Sequence, residues 1–260
     1  MTNDRERSFK VDAIVLGRRD YGETDRIVTL LTRERGKLSA IAKGARKPTA
    51  RSGPAIEYFA HSRFMLARGR DLDVVTSAEL IARPANLQGS LSRLANASHM
   101  AELANKLVQE GEVYPVVFQL LLASLHQLDD GNDDLRTVRC FEVQILSEVG
   151  YPLDLWHCST CQRELGQELN YLGLASGGML CPDCRSNEGK ALAVSINAQK
   201  YLRLLSREGL KGAAQVLVPS TVAAETERVM AAYTSSVVER DLTSLRVLRE
   251  IRERSGTYSV

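Results

Sequence analysis

Two Cys-x-x-Cys pairs separated by nineteen residues constrain the fold of this 260-residue chain more than any other feature. Cys158 and Cys161 form the first pair, and Cys181 and Cys184 form the second. Each pair can place two thiolates on one side of a cation, and two pairs complete the tetrahedral site that Zn²⁺ prefers. The spacing is typical of zinc-binding modules. We therefore predict a zinc ion held by these four cysteines, with a structural role, because four thiolates leave no position for water.

Other roles for paired cysteines remain open at this point, namely two local disulfides, a redox pair or an iron–sulfur cluster. Disulfides are disfavoured because the first residues, MTNDRERSFK, lack the apolar segment of a secretory signal. His157 can replace one cysteine as a ligand, whereas Cys140 lies in a helical pattern and is predicted to be a core residue. Gln162 and Arg185 directly follow the second cysteine of each pair. Glycine is frequent at this position, because the chain there tends toward positive φ.

Residues 8–83 are rich in strand-forming residues and are divided by glycine, proline and aspartate. The short connections favour antiparallel hairpins. Several runs are apolar on both faces, which is typical of a small closed barrel partly covered by another element. The length fits a five-stranded OB-fold barrel, a fold that commonly binds oligonucleotides. The predicted strands are FKVDAIVLGRRD, DRIVTLLTRER, KLSAIAKGA, EYFAHSRFMLAR and LDVVTSAELIAR.

Apolar residues take helical spacing after Pro84. Ser195 is predicted to cap the start of a helix, and Gly150 and Gly209 are predicted to end helices. The chain is thus predicted to be a multi-domain α+β protein, a barrel followed by an α-helical domain with an inserted small zinc module of four cysteines. The predicted parts are an OB-fold nucleic-acid-binding domain (1–82), the first part of the helical domain (83–153), the zinc-binding module (154–189) and the second part of the helical domain (190–260).

Familiar enzyme and membrane signatures are missing from the sequence. It contains no GxxxxGK[ST] phosphate loop, no HExxH and no GxSxG. The acidic segment 129–134 lacks the residue order of a calcium loop and is predicted to be a turn between helices. No window approaches eighteen uninterrupted apolar residues, so no membrane span is predicted. We expect a cytoplasmic protein that is not an enzyme and has no small-molecule substrate.

A basic segment, residues 33–51, holds seven Lys/Arg and one acid, Glu34. The whole chain carries +2, but residues 1–80 hold 16 basic and 11 acidic residues, against 18 and 21 in the remainder. A basic loop after a strand can follow a phosphate backbone. Tyr21 and Tyr58 can stack on bases, whereas Phe64 is predicted to be core. The same pattern is typical of a charged edge that deters aggregation, so both interpretations stay open here.

Three stretches of the sequence resemble the RecO family of bacterial recombination-mediator proteins. YGETDRIVTLLTRERGKLSAIAKGARKP is similar to the N-terminal signature of that family. FEVQILSEVGYPLDLWHCSTC resembles its passage from the last central helix into a zinc module, and DLTSLRVLREI is similar to its C-terminal helix. The three stretches occur in the order of the family and extend over most of the chain.

The resemblance implies an OB-fold, a helical middle and a zinc-binding module. It also implies binding of single- and double-stranded DNA, annealing of complementary strands, and cooperation with RecR in loading RecA onto strands covered by single-strand binding protein. A nucleoid-associated location would follow. The signature positions then become the candidate DNA contacts, which are Arg33, Arg35, Lys37, Lys43, Arg46, Lys47 and Arg51.

The alternative is a zinc-containing protein-interaction adaptor whose contact with DNA is incidental. On that interpretation the helical domain and the zinc module hold the partners. Arginines in the last predicted helix would attract an acidic partner tail, although alternating glutamates also fit a salt-bridged solvent face. These arginines are Arg246, Arg249, Arg252 and Arg254.

Overall fold

The computed structural model describes residues 7–48, 50, 52–132, 134–213 and 216–238. The chain divides into two compact units. The first consists of Met1–Ser90 and Ala101–Asp130, and the second of Leu91–Met100 and Gly131–Val260. The first long helix contributes to both units, so part of the predicted helical domain groups with the barrel. The division at residues 82, 153 and 189 stays a prediction.

A closed five-stranded barrel forms the first unit together with two helical segments. Its strands are β1 (Ser8–Tyr21), β2 (Asp25–Thr32), β3 (Gly36–Ala42), β4 (His61–Ala67) and β5 (Asp73–Ala82). Neighbouring strands pair in the order β1-β2-β3-β5-β4, and β1 closes the barrel on β4. All pairs are antiparallel except β3 with β5, which pair in parallel over Ala40 and Ile41. The predicted OB-like barrel is confirmed.

The alternation of apolar residues places one set of side chains inside the barrel. Val15, Leu30 and Phe64 are fully buried in one cluster, which confirms the core prediction for Phe64. Burying a side chain of this size stabilises the fold by about 1.5–3 kcal/mol. On the outer face, the His61 ring of β4 meets the Phe118 ring edge-on at 5.8 Å, so a helix covers this part of the barrel.

Helices follow the barrel along the chain, as the helical spacing after Pro84 predicted. They are α1 (Leu91–Leu107), α2 (Pro115–Asp129), α3 (Asp134–Glu148), α4 (Ile196–Ala213) and α5 (Ser220–Val238). The Ser195 hydroxyl accepts a hydrogen bond from the Ala198 amide at 3.2 Å, as a cap of α4 should. The prediction that Gly209 ends a helix is confirmed, because its φ of 63° and ψ of −163° are non-helical and divide α4 into two helical segments at a kink. The second segment continues to Ala213.

The cysteine segment lies between α3 and α4 in the chain and contains a small antiparallel sheet. Its strands are β6 (Asn170–Gly173), β7 (Gly178–Leu180) and β8 (Ala191–Val194), with β6 in the middle. Helices α3, α4 and α5 pack together around Cys140, which is fully buried as predicted. Among the described residues, no helix is long and apolar enough to cross a membrane. The arginines of the last predicted helix, Arg246, Arg249, Arg252 and Arg254, lie outside the described residues.

Candidate metal centre and nucleic-acid interface

The four predicted ligands converge. The sulfur atoms of Cys158, Cys161, Cys181 and Cys184 all lie within 4.8 Å of one another, and Cys161 Sγ is 3.8 Å from Cys181 Sγ. Four sulfurs bound to one zinc ion at about 2.3 Å would lie about 3.8 Å apart. A disulfide requires about 2.05 Å, and all five cysteines of the chain are free. The donor set and its spacing therefore fit one tetrahedral metal ion.

Local backbone geometry turns each pair of sulfurs toward the same point. The Gln162 amide donates to the Cys158 carbonyl at 2.9 Å, and the Arg185 amide donates to the Cys181 carbonyl at 3.2 Å. Gln162 has a φ of 61°, the left-handed conformation for which glycine is usual. The first turn thus has the predicted shape without the glycine. Arg185 lies in a short 3₁₀ helix and needs no such conformation.

Burial and hydrogen bonds within the cluster shift the pKa values of its cysteines in opposite directions. Burial opposes ionisation of Cys158 most strongly, yet hydrogen bonds from the backbone of Cys161, Cys181 and Thr160 outweigh it and lower the pKa of Cys158 to about 6. Hydrogen bonds with the side chains of Cys181 and Cys161 raise the pKa of Cys184 to about 12. Ionisation is therefore favoured at Cys158 and opposed at Cys184. A bound divalent cation would stabilise all four thiolates.

His157 does not belong to this cluster. Its Nδ1 lies 3.1 Å from a carboxylate oxygen of Asp154, and both side chains are about half exposed. The Asp154 carboxylate also accepts hydrogen bonds from the amides of Trp156 and His157, so this residue orders the turn before the first cysteine. The four cysteines remain the candidate metal ligands.

The basic loop after β3 folds against the β1–β2 hairpin. The Gly44 amide donates to the Asp25 carboxylate at 2.7 Å, and the Arg46 amide donates to the Thr24 carbonyl at 2.9 Å. The Arg46 guanidinium lies 3.3 Å from the Asp20 carboxylate. Backbone hydrogen bonding from Gly44 is the main cause that holds the pKa of Asp25 below its ordinary value. Acidic residues of the hairpin thus fix the path of the loop.

Lys43 and Lys47 are exposed on this loop, and their ammonium groups form no hydrogen bond or ion pair with other described residues. Arg19, which the sequence reasoning did not single out, is exposed nearby on β1, and its side chain has no such partner in the described chain either. Tyr21 and Tyr58 are 51% and 45% exposed, so both rings are accessible. We name this group the loop-end cluster. It consists of Arg19, Tyr21, Lys43, Arg46, Lys47 and Tyr58.

The sequence around Arg19 contains a usable signal. Val15 is buried inside the barrel, so strict alternation would make residue 19 point inward, but the pairing of β1 with β2 shifts between Val15 and Gly17. A bulge of this kind reverses which residues face outward. The glycine in the middle of a predicted strand was the sign of that irregularity.

Three other predicted contacts lie at or near the opposite end of β3. Arg33 is exposed in the β2–β3 turn, and the Arg35 guanidinium lies 4.2 Å from the centre of the Phe9 ring. Lys37 is half-buried, its ammonium donates to the Asn105 carbonyl, and burial lowers its pKa. It is therefore engaged within its own unit. Arg51, the seventh predicted contact, lies outside the described residues.

Comparison with known families covers both parts of the chain. The family model described as "Recombination protein O N terminal" matches residues 7–84, and the one described as "Recombination protein O C terminal" matches residues 88–246. The first match spans the whole barrel. The second spans α1 to α5 together with the cysteine cluster.

Curated relatives extend over almost the full length. A protein named DNA repair protein RecO from Roseiflexus sp. (strain RS-1) is 36% identical over 255 residues, which is 98% of this chain and 90% of the relative. The proteins of the same name from Symbiobacterium thermophilum and Desulforamulus reducens are 34% and 35% identical over 94% and 90% of this chain. These alignments cover 98% and 91% of the relatives. The chain therefore belongs to the RecO family of DNA repair proteins.

Proposed function

We propose that this protein is a non-enzymatic recombination mediator that binds single- and double-stranded DNA through the barrel and anneals complementary strands. With RecR, it would assist loading of RecA onto single strands covered by single-strand binding protein. It would act in the cytoplasm, at the nucleoid. The four predicted parts, 1–82, 83–153, 154–189 and 190–260, would be a DNA-binding domain, two parts of a helical domain and a zinc module.

The loop-end cluster is the observation that carries this proposal. It combines two exposed cations, Lys43 and Lys47, whose ammonium groups form no hydrogen bond or ion pair with the described residues, with two accessible tyrosine rings. Phosphate contacts from flexible lysines supply affinity without reading bases, and aromatic rings stack on any base. Annealing needs no catalytic residue, because base pairing between the strands provides both the specificity and the driving force. The chemistry of the cluster therefore fits a mediator better than an enzyme.

The test replaces three cations of the cluster in the variant Lys43→Gln/Arg46→Gln/Lys47→Gln. If each contacts a phosphate of a single strand, the slope of log affinity against log salt falls by about 2. Fluorescence anisotropy with oligonucleotides at several salt concentrations measures this slope, and a fluorescence-quenching assay measures annealing. The matched control is Lys200→Gln/Arg207→Gln/Lys211→Gln, which removes the same charge from exposed positions of α4.

Loss of affinity for every sequence alike, with the control unchanged, would support the proposal. Equal binding and annealing by the loop-end variant and the wild type would refute the assignment of this surface. Absence of DNA binding by the wild type at low salt would favour the adaptor, which needs protein partners instead of DNA.

We further propose that the metal is zinc and that it holds the cysteine module rigid. The support is the set of four convergent sulfur donors and the 3.8 Å spacing of two of them. Metal analysis of the purified chain should give one zinc per molecule, and Cys181→Ser should lose it while Cys140→Ala, a change at a buried cysteine of α3, retains it. Iron with inorganic sulfide in place of zinc would contradict the proposal.

A further inference from the structure

The candidate DNA contacts of the basic segment separate into two groups at opposite ends of β3. The cations of the loop-end cluster that belong to this segment follow the last residue of the strand, whereas Arg33 and Arg35 precede its first residue. Gly36 and Ala42 are the ends of this extended strand, and a separation of six residues corresponds to about 20 Å. The basic segment, contiguous in the sequence, therefore contributes cations to two separate surfaces of the fold.

The second surface includes a groove of about 720 Å³ in the barrel unit. Its lining residues include Phe9 and Arg35, together with Arg68 and Arg70 from the connection between β4 and β5. The volume lies within the range of natural ligand sites, about 300–1,000 Å³. Arg33 is exposed in the turn that adjoins the groove. We call Arg33, Arg35, Arg68 and Arg70 the groove-end cluster.

One aromatic ring positions two of these guanidinium groups. The central carbons of Arg35 and Arg68 lie 4.2 and 4.5 Å from the centre of the Phe9 ring. Such contacts restrict the long side chains before any ligand binds, which reduces the entropy that binding would otherwise cost. A planar, oriented guanidinium is well suited to the oxygens of a phosphate.

The charges around the groove predict weak binding. Asp73 pairs with Arg68 at 3.4 Å, and the Glu34 carboxylate accepts a hydrogen bond from a backbone amide of β1 at 3.2 Å. Asp71 and Glu110 are further carboxylates at the lining. The lining of the groove thus holds four acids and four bases, so its formal charges balance. A polyanion would bind there through the exposed arginines, and it would be released easily.

We propose that the groove-end cluster holds a second single strand of nucleic acid while the loop-end cluster holds the first. This proposal rests on the proposed DNA-binding function and adds to it a mechanism for annealing. Two strands on one protein meet at an effective concentration on the order of millimolar, far above that of free strands. Weak, sequence-independent contact at the second site lets the strand shift until bases pair. Pairing then withdraws it from the protein.

The experiment measures capture of a second strand by a bound protein. An oligothymidine of about 10 nucleotides, within the length that one OB-like barrel covers, is immobilised and loaded with protein. A labelled oligothymidine, which cannot pair with the first, is then added at low salt. The groove-end variant Arg33→Gln/Arg68→Gln/Arg70→Gln is compared with the loop-end variant and with the α4 control. The charge-preserving variant Arg33→Lys/Arg68→Lys/Arg70→Lys and the thermal midpoint of each protein report on folding.

We expect the groove-end variant to bind one strand within about twofold of wild type, because the loop-end cations supply most of that affinity. It should lose second-strand capture and anneal at least about tenfold more slowly, because the effective concentration is lost. The lysine variant should retain capture, and the α4 control should match wild type.

Normal capture and annealing by a folded groove-end variant would overturn the proposal. A loss of single-strand affinity as large as that of the loop-end variant would also overturn it, since one strand would then span both ends of β3. Failure of the wild type to bind any strand would instead refute the underlying DNA-binding function, which separates the two conclusions.

Discussion

A buried ion pair in the second unit leads to a quantitative prediction about stability. Arg139 and Glu142 lie one turn apart on α3, their side chains are 3% and 0% exposed, and their charged atoms are 2.9 Å apart. His99 of α1, also fully buried, places its Nε2 2.6 Å from the same Glu142 oxygen. The carboxylate is thus the centre of a three-residue network. Glu142→Leu removes that centre and leaves the buried guanidinium without this carboxylate.

The size of the effect follows from the charge that the substitution leaves behind. Arginine cannot lose its proton in a protein, so the Arg139 guanidinium stays charged at every accessible pH. Removing one partner of a buried ion pair costs about 3–5 kcal/mol of the free energy of unfolding. With a slope of about 2–3 kcal/mol per molar urea, the unfolding midpoint should fall by roughly 1–2.5 M.

The double variant Arg139→Met/Glu142→Leu is the matched control, because it removes both charges together and fills the site with apolar groups. Its stability should lie closer to wild type, within about 1–2 kcal/mol, since the losses are two hydrogen bonds, that of His99 with Glu142 and that of Arg139 with the Glu227 carbonyl. Urea unfolding followed by circular dichroism, with zinc present throughout, measures all three proteins. The reasoning would be refuted if Glu142→Leu lowered the free energy of unfolding by less than about 1 kcal/mol, the size of an ordinary substitution. Equal losses of stability in the single and the double variant would also refute it.

Three further predictions concern single positions. Gly36→Ala should lower the thermal midpoint far more than Gly22→Ala. Both glycines have positive φ, but only at Gly36 would a Cβ meet a backbone oxygen, that of Glu112, at 1.8 Å. Equal shifts of the thermal midpoint would contradict this prediction. Cys140 should react with a thiol reagent at pH 8 only after unfolding, because burial raises its pKa to about 12. Rapid labelling of Cys140 itself in the folded protein would be the contrary result. The hydrogen bond from Arg63 lowers the pKa of Asp12, so its stabilising contribution is present above the ordinary carboxyl pKa and is lost as pH falls through the lowered value. Urea unfolding between about pH 6 and pH 3 should therefore show a smaller loss of stability on acidification for Asp12→Asn than for wild type, and equal losses would argue against it.

The convergence of the four cysteines and the barrel were predictable from the sequence because their signals are local or periodic. The pairs Cys158/Cys161 and Cys181/Cys184 are each held by one turn, so their spacing alone indicated that the sulfurs converge. Alternation of apolar residues and short connections indicated the strands of the barrel. Gly209 is a further local signal, since its positive φ interrupts the helix as predicted, although a second helical segment follows directly and continues to Ala213.

The division of the basic segment was not predictable, because it depends on contacts between residues distant in sequence. Lys37 donates to the carbonyl of Asn105, far along the chain, and this contact removes it from the accessible cations. The Arg35 guanidinium meets the Phe9 ring through a pairing that only the closed barrel creates. In the sequence the seven candidates look equivalent, whereas the fold places the six described ones in different environments.

The different contacts of these cations affect how a barrel of this kind would bind DNA. Arg46 is held by Asp20 at 3.3 Å, so it presents a fixed charge, while Lys43 and Lys47 have no side-chain partner among the described residues and can follow a moving backbone. Fixed guanidinium groups aimed at base edges are what sequence recognition requires. Mobile ammonium groups next to exposed rings supply affinity that is uniform along a strand. The loop-end cluster is thus better suited to holding any single strand than to selecting one, which is the property that an annealing protein needs.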